Sequence, residues 1–372
     1  MSSTTGRTGL APRSHRGLRG GETVSGWLFT APMLILLGLF LVIPVLMALW
    51  VSLSDWNGNG SPLSSGVNFV GGKNFGALLG GGGLNEQNFG ASLRNNAWYV
   101  ILVVPLQTIV ALFLAVLVNR QILKGRGFFR TAFYFPSVTS SVAITVLWLF
   151  LFAQSGAVNK VLSWLGINGP NWFQEPSGII QDGLAGLGIK QGPAFLTGHT
   201  TLGVSWWDWL GGPSVAMTAL ILMAIFTTSG TFMLLFIAAL QNLSGEVQEA
   251  AMVDGANGWQ RFRLITLPQL RPTLFTVLTL GLIGGWQIFD QIYTGTQGGP
   301  ANTTTSPAYL AYTAAFQNQN WGQGAAIGFM LFVIIIVFTL FQRWVLRDRK
   351  VSKRRMRLYQ VPPASGRVGA ES

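Results

Sequence analysis

Apolar residues are gathered into six runs, each long enough to cross a bilayer, which takes about 20 helical residues. They cover residues 27–53, 98–118, 131–153, 213–240, 273–289 and 325–345. The pattern predicts an all-α polytopic membrane protein with six transmembrane helices. Arg7, Arg13, Arg16 and Arg19 precede the first run in the manner of a signal peptide. That run is about twice the length of a signal h-region, roughly 7–15 residues, and no clean small-residue cleavage site follows it. It reads as a retained signal-anchor.

Composition agrees: 49% of the 372 residues are hydrophobic and only 10% are charged, against about 25% charged in soluble domains. The net charge of +12 fits either nucleic-acid binding or the positive-inside bias of a membrane protein. Position decides between them. Basic residues cluster in the N-terminal arm, after the second run (Arg120, Lys124, Arg126, Arg130), after the fourth (Arg261, Arg263, Arg271) and in the tail from Arg343 to Arg367. The alternate segments carry only Lys73, Arg94, Lys160 and Lys190. The bias places both termini and the clustered loops in the cytoplasm and removes the case for nucleic acid. It divides the chain into a basic arm (1–25), a transmembrane domain (26–345) and a basic tail (346–372), the last able to touch anionic lipid.

Several chemistries are excluded or disfavoured. Without cysteine there is no thiolate metal site, disulfide framework or cysteine nucleophile, and His15 and His199 lie in polar segments. Ionisable groups are nearly absent from the runs; Asp290, at the outer end of the fifth, comes nearest. Ion-coupled carriers keep such groups at mid-membrane, so the energy source is expected elsewhere. The nearest match to a P-loop, Gly72-Lys73-Asn74, lacks the leading glycine and the hydroxyl residue. No cofactor is expected on this chain. Gly80 to Gly83 reads as a flexible loop tip, because it opens no capped helix.

The cytoplasmic loop 241–272 is the most informative segment. Ser244 is placed to cap a helix, with Glu246 in its first turn where the dipole favours negative charge. Gly255 and Gly258 are expected to end that helix or to allow close approach of another backbone, and Pro268 and Pro272 to break the chain before the fifth run. Glu249-Ala250-Ala251, three residues, Gly255, nine residues, then Ile265-x-Leu267-Pro268 form one ungapped pattern. It resembles the signature of permease subunits of binding-protein-dependent ABC importers. The sugar-type branch is the nearest likeness, on Trp286 to Tyr293, Gly298-Gly299-Pro300 and Asn95-Asn96-Ala97-Trp98-Tyr99 among other stretches.

The resemblance implies a type I importer permease fold in a bacterial inner membrane. Glu249, Ala250, Ala251, Asp254, Gly255, Ile265, Leu267 and Pro268 would then dock a separate ATPase. The implied partners are a second homologous permease, two ATPase subunits that hold ATP and Mg, an extracytoplasmic solute-binding protein and membrane lipid. The chain itself would be no enzyme. An uncharged sugar asks for amides, hydroxyls and aromatic faces, so Gln287, Asp290, Tyr293 and Ser140, with Gln107, Ser137, Thr139 and Ser141, are the path candidates. An ABC permease for a non-sugar solute and a standalone secondary carrier remain as alternatives. Residues 167–208 depart from the family pattern. They form a Gly-, Pro- and Trp-rich insertion read as a tolerated surface loop, an added contact for the binding protein, or tryptophans on the outer membrane surface.

Overall fold

The structure is a computed structural model that describes residues 21–119 and 124–346. The arm 1–20, Arg120 and the tail from Arg347 lie outside the described residues, and with them most of the charge that set the expected orientation. Eight helices organise the fold: α1 (Ser25–Ser52), α2 (Leu84–Asn119), α3 (Arg126–Val138), α4 (Ser141–Leu151), α5 (Val215–Gln241), α6 (Gly245–Val253), α7 (Arg271–Trp286) and α8 (Trp321–Val345).

Four of these, α1, α2, α5 and α8, are single helices long and apolar enough to cross a membrane. The third expected span is no straight rod. It divides into α3 and α4, bent by 98° at Thr139–Ser140. Pro136 removes one ladder donor. Ser137 and Thr139 then turn their hydroxyls onto the carbonyls of Tyr134 and Phe135, an alternative to continuing the helix. Ser140, with extended backbone (ψ 131°), opens α4. The fifth expected span is also shorter than its apolar run, because α7 has 16 residues and stops at Trp286.

The core sits where α2, α5 and α7 meet. Tyr99, Val103 and Val104 of α2 pack on Met217, Leu220 and Met223 of α5 and on Leu282 and Trp286 of α7. A second cluster sets Ala111 and Ala115 against Phe232, Met233 and Phe236. In lipid the gain is close packing, since tails are as apolar as side chains, and small residues are what permit it. Gly230 shows it between helices: a Cβ there would lie 2.2 Å from the carbonyl oxygen of Phe133, so α3 crosses α5 backbone to backbone. α1 is the opposite, with its apolar residues from Trp27 to Val45 almost all exposed. It carries a five-residue π turn, Gly38–Val42, just ahead of Pro44. That turn absorbs the donor the proline lacks.

α2 runs for 36 residues, about 54 Å at 1.5 Å per residue, while the hydrocarbon layer is about 30 Å thick. Its polar first turns, with Asn85, Glu86, Gln87 and Asn88, therefore project beyond the lipid. The insertion folds against this projection. It contains helices at Ile179–Gly186 and Trp206–Leu210 and a hairpin pairing Thr200–Thr201 with Val204–Ser205. Leu202 at the hairpin tip abuts Gly90, and the Trp98 indole donates to the carbonyl of Trp209 at 2.9 Å. Trp206 and Trp207 are half-buried within the insertion, Trp206 stacked on His199.

A side chain at Gly230 has no room. Gly230→Val is expected to destabilise the detergent-solubilised protein by about 1–3 kcal/mol, the usual cost of overpacking. A thermal melt followed by size-exclusion recovery reads it; an unchanged melt would mean that α3 does not cross α5 at this glycine.

Candidate functional site

Backbone that leaves the helix inside a membrane must find other partners or line a cavity. Both irregular breaks of this chain do so around one space. At the first, α7 ends and Gln287, Ile288 and Phe289 pass to a further helical turn, Ile292–Thr296, entered from Asp290. Two released carbonyls are met by buried side chains of other segments. Asn96 donates to the carbonyl of Trp286 at 3.1 Å, and Ser306 donates to that of Ile288 at 2.7 Å. Neighbouring Asn95 donates to the carbonyls of Asn302 and Thr305, fixing the returning loop beside the break.

The space beside this break is a cavity of about 350 Å³ between α2, α5 and α7, whose polar wall includes Gln107, Thr227, Thr228, Gln287, Asp290 and Gln291. The Thr228 hydroxyl lies 2.5 Å from Gln107 Oε1 and joins α5 to α2 across it. A second cavity of about 260 Å³ is lined by Ser137, Thr139 and Ser141 from the α3–α4 bend and shares Thr227, Thr228 and Gln291 with the first. An outer cavity of about 500 Å³ takes Tyr293, Thr294, Gln297, Tyr309 and Gln317 and shares Asp290.

Seven of the eight path candidates thus fall on three adjoining cavities. Ser140 does not: it is exposed at the start of α4 and lines none of them. Sequence reading missed Thr227, Thr228 and Gln291. The signal for the threonines was the cluster of hydroxyls Thr227, Thr228, Ser229 and Thr231 inside an apolar run.

The loop after α5 forms a separate site. Ser244 precedes α6 with extended backbone, but its hydroxyl makes no capping bond. Glu249 and Ala250 are exposed and Ala251 is buried. Asp254 closes the helix and Gly255 follows at φ +80°, a conformation that costs a glycine little. The amide of Ala256 donates to the carbonyl of Ala251 and that of Gly255 to Met252, the paired bonds of a Schellman ending.

A capping box between Asn257 and Gln260 then starts a new helical run. It continues through a π turn, Phe262–Thr266, and the turn Leu267–Gln269 into α7. The expectation that Pro268 and Pro272 break the chain is met in part, because the helical ladder is interrupted at Leu270, between the two prolines, just before α7. Each occupies a first helical turn, where no amide donor is needed, and the π turn ahead of Pro268 takes up the rest. Ile265 and Leu267 are half-buried and Pro268 exposed. The Gln248 side chain donates to the Thr266 hydroxyl at 3.2 Å, tying α6 directly to this run. Val247, Met252, Val253 and Trp259 are left exposed around it.

A bundle of apolar helices with two broken segments around polar cavities and a docking-type helix on one face is the architecture of a transport protein embedded in a membrane. Residues 107–351 match the family described as binding-protein-dependent transport system inner membrane component, and the chain belongs to it. It is 31% identical over 345 residues to the lactose transport system permease protein LacF of Rhizobium radiobacter, covering 92% of this chain and 100% of that one. It is 29% identical to the trehalose/maltose transport system permease protein MalF of Thermococcus litoralis, with coverages of 88% and 96%. In fold it is similar to a chain of a bacterial ABC transporter involved in the import of the acidic polysaccharide alginate, at a TM-score of 0.66 and 21% identity, covering 88% and 98%.

Asn96 carries the break. Asn96→Leu leaves the Trp286 carbonyl buried without a donor and is expected to cost about 1–3 kcal/mol, read as a lowered melting temperature of the solubilised chain. A melt equal to that of the parent would show that the break is held by other contacts.

Proposed function

We propose that this chain is one of two homologous permease subunits that together enclose the sugar path of an ATP-driven importer. The observation that carries this is a short, mostly helical connection. An exposed short helix bearing Glu249, Ala250, Ala251, Asp254 and Gly255 is tied to a run bearing Ile265, Leu267 and Pro268, which leads through α7 to the break at Gln287. A separate ATPase, present twice and holding ATP and Mg, presses on α6 and on exposed Val247, Met252 and Val253. The push moves α7 and alters the cavity lined by Gln287 and Asp290, the kind of two-state rocking around a central site by which such bundles alternate access.

In this reading the chain crosses the membrane six times, the bent pair α3–α4 and the short α7 counting as crossings. Both termini are cytoplasmic, the transmembrane domain is residues 26–345, and residues 241–272 couple to the ATPase. The exposed face of α1 meets lipid and the second permease. An extracytoplasmic binding protein delivers the solute to the outer side, where residues 167–208 project. The walls of amide and hydroxyl groups suit sugars, and the sugars for which its relatives are named, lactose and trehalose/maltose, support a saccharide.

Gly255→Leu tests the coupling. The φ of +80° at this position strains any residue with a side chain. The substituted chain is expected to reach the membrane but to lose more than about nine-tenths of saccharide uptake and to stop co-purifying an ATPase. Full uptake with an ATPase still bound would overturn the assignment of this loop, and wild-type membranes yielding no ATPase partner at all would overturn the importer reading.

A further inference from the structure

A short helix just beyond α4 takes no part in the transport path. α4 ends at Leu151, and the chain turns tightly at Gly156, where a Cβ would collide with the carbonyl oxygen of Leu151. The helix Ala157–Trp164 follows. Its level is set by the framework around it. The Trp148 indole donates to the carbonyl of Ala219 at 3.1 Å, and Phe152 meets Trp172 edge-on at 5.2 Å. The amides of Val215 and Ala216 donate to the carbonyls of Ser177 and Glu175. These contacts bind residues 148–177 to the first turns of α5, at the edge of the hydrocarbon layer.

One face of the helix is locked to the protein by Asn159, which is buried. Its amide donates to the carbonyls of Gln154 at 3.2 Å and Pro170 at 3.0 Å, and its Oδ1 accepts from the Trp172 indole at 2.8 Å. The opposite face is apolar and bare. Val161, Trp164 and Leu165, three and four residues apart and so on one side of the helix, are 50%, 76% and 70% exposed. Lys160 and Ser163 are exposed at its border. On α4, Val142, Val146 and Phe150 form an exposed apolar row, one every four residues, as a crossing turns to lipid.

On the six-crossing orientation proposed above, we infer that the helix Ala157–Trp164 is seated in the interfacial layer of the outer leaflet, with Val161, Trp164 and Leu165 against acyl chains and Lys160 reaching lipid phosphate, and that it anchors the insertion to the membrane surface. An indole suits this layer because its ring is apolar and its N–H polar. A lysine stem follows apolar surface while its ammonium reaches the headgroups. An apolar face with a basic border is the composition of a helix held on lipid. Three side chains are too few for a stable protein contact, which takes about 20–30 residues a side. They suffice for a helix already tethered at both ends. Asn159 passes the anchorage on, because Pro170 and Trp172, its partners, open the segment 167–208.

The chain has no cysteine, so an introduced one is its sole thiol. Val161→Cys, Ser163→Cys, Trp164→Cys, Leu165→Cys and Lys190→Cys, the last an exposed position of the insertion, each receive a nitroxide. The whole transporter, with thiol-free partner chains, is placed in vesicles of phosphatidylethanolamine and phosphatidylglycerol. Relative to a water-soluble nickel chelate, oxygen is expected to relax the labels at 161, 164 and 165 at least about threefold more strongly than those at 163 and 190. Adding Trp164→Glu and Leu165→Glu to the Val161→Cys chain is expected to bring its label to the ratio found at 163. The melt in detergent stays unchanged, because both side chains are exposed. Equal ratios at all five positions would place the face in water and overturn the anchor. Shielding of 161, 164 and 165 from both reagents would show a protein covering the face, the second permease or the binding protein, and would overturn it too. A membrane-impermeant maleimide that reaches Lys190→Cys only in inside-out vesicles would instead overturn the orientation, leaving the helix anchored on the other leaflet.

Discussion

Within hydrocarbon, a peptide group that leaves the helix has no water to turn to, and this constraint shapes the middle of the molecule. The path needs irregular backbone, because a straight apolar helix offers a solute nothing to bond. The break after Trp286 is possible because Asn96 and Ser306 reach it from α2 and from the returning loop. Both side chains are buried, and both belong to segments held elsewhere, by Asn95 on one side and by the start of the helix Pro307–Tyr312 on the other. The cavity is thus a product of the framework around it. Remove the donors and the lowest-energy course for residues 286–290 is to continue the helix or to pull away from the core, and either closes the space.

The same economy explains where polar residues occur. In the membrane-spanning segments nearly all are hydroxyls or amides, which bond to a carbonyl of their own helix when no solute is present. Thr227 does so with Met223, and Thr228 with Ala224 while also meeting Gln107. A charged group has no such internal partner. Asp290 accordingly stands beyond the end of α7, where two cavities adjoin.

Much of this was legible in the sequence and the remainder was not, for definite reasons. Long apolar runs announce α1, α2, α5 and α8, because hydrophobic length is a property of the run itself. The Schellman ending at Gly255 was equally plain, since a glycine closing a short helix has few other uses. The bend at Thr139–Ser140 was hidden because Pro136, Ser137 and Thr139 are each tolerated in a straight span. What decides is α3 leaning on Gly230 nearly a hundred residues away. The course through Pro268 was misread for the converse reason, although the ladder does break at Leu270, ahead of Pro272. Proline breaks a helix by lacking a donor, and a π turn one step earlier removes the need for it. Thr227 and Thr228 were lost in an apolar run, where a cluster of hydroxyls looks like helix packing until Gln107 is seen opposite Thr228.

The run from Gly258 to Trp286 has a mechanical meaning as well. It holds 29 consecutive residues, a largely helical rod of about 43 Å at 1.5 Å per residue, with its ladder interrupted at Leu270. A tilt of about 5° about one end of such a rod carries the other through about 4 Å, larger than the gap between two side chains in van der Waals contact. The π turn at Phe262–Thr266 lies in the first third of that length, and Pro268 and Pro272 lie between there and its midpoint. They give the rod a compliant end and a stiff one, and the stiff end is the one that borders the cavity.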